Sequence, residues 1–126
     1  MRHTFKKGEK LKSKKLIEQL FERGKRLKSL PIQLVYLEID HKTAYLIQAG
    51  FSVPKKRFKR AVDRNRIKRL MREAYRLHKY TLPKITDADT KKHVFMFIYI
   101  GKHIETYATI ETQFLKLLKE VEQKLI

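Results

Sequence analysis

Eight consecutive residues, HVFMFIYI at 93–100, constrain the fold of this chain more than any other stretch. A near-continuous apolar run of strand length reads as a central β-strand buried on both faces, because a strand with one wet face would alternate. Such a strand needs neighbours in its own plane and packing layers above and below it. The rest of the 126 residues must supply both.

Two strand candidates precede it. Pro31 opens IQLVYLEI (32–39), rich in β-branched and aromatic residues, and Asp40-His41-Lys42 is a short polar connection to TAYLIQAGFSV (43–53). In the latter, Tyr45, Ile47, Ala49, Phe51 and Val53 share one face. The opposite face carries Ala44, Leu46, Gln48, Gly50 and Ser52, small and half-polar. It could admit another backbone or a nucleotide, or lie as the wet side of an edge strand. A first helix is expected over Lys14–Arg23, with Ser13 as N-cap, Leu16, Ile17, Leu20 and Phe21 as its apolar stripe, and Gly24 at its stop. Lys25, Arg26 and Lys28 read as a basic connector. A tail helix over roughly 106–124 presents Ile110, Phe114, Leu117, Leu118, Val121 and Leu125. The order α-β-β-α-β-α gives an α+β sandwich, a single domain over residues 1–126 with helices on a small mixed sheet. Residues 1–12 read as a mobile basic arm with Phe5 and Leu11 as apolar anchors.

The third helix-forming stretch, KKRFKRAVDRNRIKRLMREAYRLHK at 55–79, carries twelve Lys or Arg against Asp63 and Glu73, a local +10 of the chain's +18. At helical spacing Ile67, Leu70, Met71, Ala74 and Leu77 fall on one side. Arg64, Asn65, Lys68, Arg69, Arg72, Arg76 and Lys79 fall on the other. Arg66 lies roughly 200° round from Arg64, beside the apolar side, and is expected to reach the cleft side or a partly buried partner. A solvated face would mix signs to avoid self-repulsion. This one hardly does, so a polyanion is the economical partner. The helix begins either with Asp63 as its cap or one turn earlier near Lys59. In both cases Lys55, Lys56, Arg57, Lys59 and Arg60 crowd a helix N-terminus, which already favours phosphate.

Composition narrows the chemistry. With no Cys there are no disulfides, thiol nucleophiles or Cys-based zinc sites. No run of 18 apolar residues and no secretory segment is present, so a cytoplasmic protein without membrane contact is expected. The five His show no metal-ligand spacing, and the four Gly form no phosphate loop. Asp87 and Asp89, in the 81–92 loop, are the only close acidic pair. They read as a solvated turn ahead of a Mg²⁺ site. No catalytic residues are assigned, and no cofactor is expected on the protein alone. An array of cations binds phosphate without regard to sequence. Unpaired bases would add stacking on rings, for which Phe21, Tyr36 and Phe51 are available if they are not simply core.

The block AVDRNRIKRLMR (61–72) closely resembles the bacterial ribonuclease P protein subunit, whose motif centres on Arg-Asn-Arg followed by an apolar residue and Lys-Arg. GFSVPKK (50–56) and LKSKKLIEQLFERGK (11–25) are similar to further parts of that family, so the resemblance covers nearly the whole chain. It implies an αβββαβα sandwich around a central mixed four-stranded sheet, with a left-handed βαβ crossover carrying the basic helix and a further short strand near Pro54–Arg57. It also implies that the protein is the noncatalytic subunit of an endonuclease. One protein would join a large catalytic RNA, which removes the 5′ leader of precursor tRNA with Mg²⁺ brought by the RNA. Carried across, Arg64, Asn65, Arg66, Lys68, Arg69 and Arg72 become RNA contacts beside Lys55 and Lys56. Arg57, Lys59, Arg60 and Arg76 join them from the charge pattern. Ile17, Phe21, Tyr36 and Phe51 become candidates for the leader cleft between the first helix and the sheet. A different register of the first strand would put Val35 there in place of Tyr36. Pro54 and Phe58 stand where many members have Ser and Gly. A general RNA-binding or chaperone protein of ribosomal type is the other reading compatible with the same helix.

Overall fold

The computed structural model describes residues 7–40, 47–79 and 92–125. Phe5, the 43–46 start of the second strand candidate and the Asp87/Asp89 pair lie outside them. A short 3-10 turn at Lys7–Glu9 precedes α1 (Lys14–Arg23), β1 (Lys25–Ser29), β2 (Ile32–Glu38), β3 (Ile47–Ser52), α2 (Ala61–His78), β4 (His93–Tyr99) and α3 (Tyr107–Leu125). The order is αβββαβα, and one sheet runs β1-β2-β4-β3. The β1/β2 and β2/β4 pairs are antiparallel and β3/β4 is parallel, so α2 is the crossover between two neighbouring parallel strands.

The apolar run becomes the inner strand β4, and its pleat splits it between two cores. Val94 and Met96 pack with Leu11, Leu20 and Val35 on the α1 side. Phe95, Phe97 and Tyr99 pack with Ile67, Met71, Tyr75, Phe114 and Leu117 on the side covered by α2 and α3. The larger core is organised by rings: Phe97 stacks on Phe114 at 4.2 Å and on Phe51 at 5.6 Å.

Local signals place α1 well. Ser13 is extended, and its hydroxyl accepts from the Leu16 N–H at 3.3 Å. Gly24 ends the helix at φ −70° and ψ 152°, an extended backbone rather than the left-handed cap its identity suggested. Glycine is needed there for space. A Cβ would lie 2.3 Å from the Leu20 carbonyl oxygen and 2.8 Å from Val35 Cγ1.

Residues 25–29 are a strand and not the connector read from the sequence. β1 pairs along its length with β2 through the two-residue Leu30-Pro31 turn, whose peptide bond is cis. Only Leu27 and Ser29 turn inward, so a single apolar side chain carried the alternation; Lys and Arg elsewhere suit an unpaired sheet edge. The further strand expected near Pro54–Arg57 is a turn, in which the Arg57 and Phe58 N–H groups both donate to the Pro54 carbonyl, at 3.1 and 3.3 Å. β1 is therefore the third strand before the crossover. Phe58 is buried against Tyr99 at 5.8 Å and pins that turn.

The edge of β3, rather than its small face, receives another backbone, and Gly50 on the small face is closed over by the Met96 and Leu11 side chains. Leu11 N–H donates to the Ala49 carbonyl at 2.9 Å, Lys10 bridges to Ala49, and a Cβ on Gly50 would sit 2.9 Å from Met96 Cε and 3.6 Å from Leu11 Cβ. The inner part of the basic arm is thus tied down. Glu9 and Lys79, both almost fully buried, form an ion pair that joins it to the end of α2. Lys79, placed by periodicity on the outward basic face, is withdrawn from it.

Phe97→Ala should cost about 3–5 kcal/mol in urea denaturation, because it opens a hole among close-packed rings. Lys79→Met alone strands Glu9 in a dry site and should cost about 3–5 kcal/mol; adding Glu9→Met should recover most of that loss.

Candidate nucleic-acid interface

α2 lies on the larger core through Ile67, Met71, Ala74 and Tyr75, with Leu70 and Leu77 half-buried beside them. Tyr75 is a core residue that the apolar periodicity left out. This seating turns Asn65, Arg66, Arg69 and Arg72 to solvent, with Arg64 and Lys68 half-buried at one margin. Arg66, expected from its spacing to reach the cleft side or a partly buried partner, is instead exposed. Asp63 stands in the first turn, 4.0 Å from the N-cap residue Arg60, which offers no side-chain cap. Lys55, Lys56, Arg57, Lys59 and Arg60 are all exposed around that terminus.

Two members of the array also have structural partners. Arg64 Nη1 donates to the Phe58 and Lys59 carbonyls, each at 2.8 Å, and staples the 54–60 turn to the helix. Arg76 holds Glu73 through 3.1 and 2.5 Å bonds, which lower the Glu73 carboxyl below its ordinary range. Next to this pair, His78 meets Glu111 of α3 at 2.7 Å, and the Tyr107 hydroxyl donates to the same carboxylate at 3.3 Å. Burial, then the charge and hydrogen bond of Glu111, push the Tyr107 phenol up to about 12. The His78–Glu111 contact joins α2 to α3 and helps to fix the roll of the basic face.

The four cleft candidates divide between the two faces of the sheet. Ile17 is half-buried on the α1 side with Val35, Val94 and Met96. Phe21, 40% exposed, carries the Arg26 guanidinium 5.9 Å from its ring centroid. Tyr36 and Phe51 are on the other face and do not join them. Tyr36 is buried 6.4 Å from Phe95, and burial, with Glu120 nearby, raises its phenol pKa. Phe51 packs among Tyr75, Phe97 and Phe114. Strand pleating is the reason: β2 alternates faces, so Val35 and not Tyr36 points toward α1. Lys25, Arg26 and Lys28, read from the sequence as a basic connector, were not among the site residues expected from it. The i, i+2 spacing of Arg26 and Lys28 was the available signal. Among the described residues no group of three or more metal-ligating side chains occurs, and no helix is long and apolar enough to cross a membrane.

Residues 5–122 match the family model described as Ribonuclease P. The Ribonuclease P protein component of Porphyromonas gingivalis is 37% identical over 113 residues, covering 89% of this chain and 82% of that protein. Its counterpart in Chlorobaculum tepidum is 39% identical over 99 residues, covering 75% and 64%. Among solved structures, the RNase P protein from Thermotoga maritima superimposes with a TM-score of 0.70 at 23% identity, over 89% of this chain and 96% of that one. The Staphylococcus aureus RNase P protein gives 0.66 at 21% identity, over 94% and 98%. At these identities the two structures bear on the fold alone.

The Tyr107 environment gives a pH test. A phenol whose pKa is raised on folding stabilises the fold below its unfolded pKa, near 10, and that contribution is lost as pH climbs toward 12. Wild-type stability should therefore fall over that window, and Tyr107→Phe should flatten the fall in denaturant titrations.

Proposed function

The chain belongs to the ribonuclease P protein family, and we propose that it serves as the RNA-binding subunit that helps a catalytic RNA remove the 5′ leader of precursor tRNA. The observation that carries this reading is the outward face of α2. Arg66, Arg69 and Arg72 are exposed, with no carboxylate partner among the described residues, on a helix whose roll is fixed by its core contacts. Guanidinium groups pair phosphate oxygens in forked geometry, so a preorganised row of them suits a folded RNA backbone. Lys55, Lys56, Arg57, Lys59 and Arg60 extend the row around the α2 N-terminus, where backbone N–H groups add to the attraction for phosphate. Lys68, Arg64 and Arg76 support it from the margins, and Asn65 contributes a group that both donates and accepts.

The leader, as a single strand, is assigned to the α1 side of the sheet. There the exposed Phe21 ring, backed by Arg26, offers a stacking surface, with Ile17 beside it. The protein supplies charge and position, and the Mg²⁺-dependent hydrolysis is assigned to the RNA. Protein cations replace part of the counter-ion atmosphere that would otherwise be needed to bring two RNAs together. Help from the protein should therefore be greatest when Mg²⁺ is scarce.

Adding the purified protein to its RNA at low Mg²⁺ should raise the rate of leader cleavage; an unchanged rate overturns the reading. Equal affinity for unrelated structured RNAs would mark a general RNA-binding protein instead. Within the complex, alanine at Arg66, Arg69 or Arg72 should weaken RNA binding and reduce the slope of log K against log salt by roughly 1 per residue.

A further inference from the structure

One end of the sheet holds a cavity that the α2 surface and the Phe21 platform leave unused. It has a volume of about 360 Å³, within the range of small-ligand sites, and lies under the last turn of α3. Three cations line it from three separate elements: Arg23 closes α1, Lys25 begins β1 and Lys124 comes from the end of α3. The phenol of Tyr36 and the imidazole of His93 form part of its wall, and Glu38 places one carboxylate at its edge.

We infer that this cavity binds one nucleotide of a single-stranded RNA that reaches it over the β1 edge. The chemistry matches a nucleotide piece by piece. Cations meet the phosphate, and the exposed Glu38 carboxylate accepts from the N–H groups of a base edge. Arg23 and Lys124 also sit at the negative ends of α1 and α3, which accounts for two of the cations without any ligand. It does not account for Lys25, which opens a strand. Nor does it account for the hollow beneath the three.

The route to the cavity is continuous. Arg26 pairs with Val35 in the sheet and turns to the α1 side, over Phe21. Lys25, one residue earlier, pairs with Tyr36 and turns to the cavity side. A strand stacked on Phe21 therefore meets Arg26 and then Lys25 as it rounds the exposed edge. Along the β1 edge Lys25, Arg26 and Lys28 are exposed and form no ion pair with a carboxylate among the described residues. This inference rests on the assignment of the leader to the α1 side and extends it to nucleotides farther upstream.

The test uses the complex reconstituted with its RNA subunit and precursor tRNAs that differ only in leader length. One has a leader too short to leave the α1 face, and the other a leader of about ten nucleotides, within the usual span of single-strand sites. Lys25→Ala/Lys124→Ala should weaken binding of the long-leader precursor by roughly tenfold and leave the short-leader precursor unchanged, as expected for two lost phosphate contacts. Lys116→Ala/Lys119→Ala removes the same charge from exposed positions on α3 outside the cavity, and should affect neither precursor. Equal weakening of both precursors by the first pair would overturn the inference, because the cations would then be holding the catalytic RNA. So would no weakening of either. Failure of the wild-type complex to bind any precursor would remove the underlying functional reading itself, and the wild-type control shows this directly.

Discussion

The two-sided burial of β4 is the constraint on which the other elements depend. A strand carrying Val94 and Met96 on one face and Phe95, Phe97 and Tyr99 on the other cannot lie at a wet surface. It must be inner, so β2 and β3 flank it, and each face must be roofed. The heavier face, with its stack of Phe51, Phe97 and Phe114, takes two helices; the lighter one takes α1 and Leu11. Dispersion and apolar burial act on the whole ring cluster together, which is why α2 and α3 are held in one orientation rather than sliding over the sheet.

That rigidity gives the charge its meaning. A +18 chain of this size repels itself, and the repulsion is concentrated where α2 is most basic. The fold tolerates it through a few local devices. Arg64 and Arg76 are each tied to a carbonyl or carboxylate, and Lys79 is neutralised by Glu9 in the interior. On the basic face of α2, Arg66, Arg69 and Arg72 are left exposed. A polyanion bound to that face relieves the repulsion and stabilises the fold by mass action, so recognition and stability are linked through the same side chains.

The sheet also works as a partition. Phe21 with Arg26 lies on one side, while the Tyr36 and Phe51 rings lie on the other, in the core. A ring is available to a base only where no helix covers it, and α3 and α2 cover theirs. Stacking is thereby confined to the side with the lighter roof, next to the cation-rich edge strand. The two RNA surfaces assigned to the protein therefore lie on different layers, and a complex held by one need not displace the other.

What the sequence determined by itself is what short-range physics controls. The bounds of α1 follow from the Ser13 hydroxyl and a stripe of four apolar residues. The inner position of β4 follows from seven unbroken apolar residues (94–100), and the division of α2 into core and basic faces from helical spacing. Tertiary structure decided the rest, because the rest depends on partners distant in the chain. β1 has one inward apolar residue and becomes a strand only by pairing with β2. Whether Val35 or Tyr36 faces α1 is a matter of register, which a one-residue slip would invert. Gly24 is required by a contact with Val35, not by its own torsion angles. Lys79 looks like one more surface cation until Glu9, seventy residues earlier, is folded against it. Each of these was decided where two separate segments meet, and no local pattern carries that information.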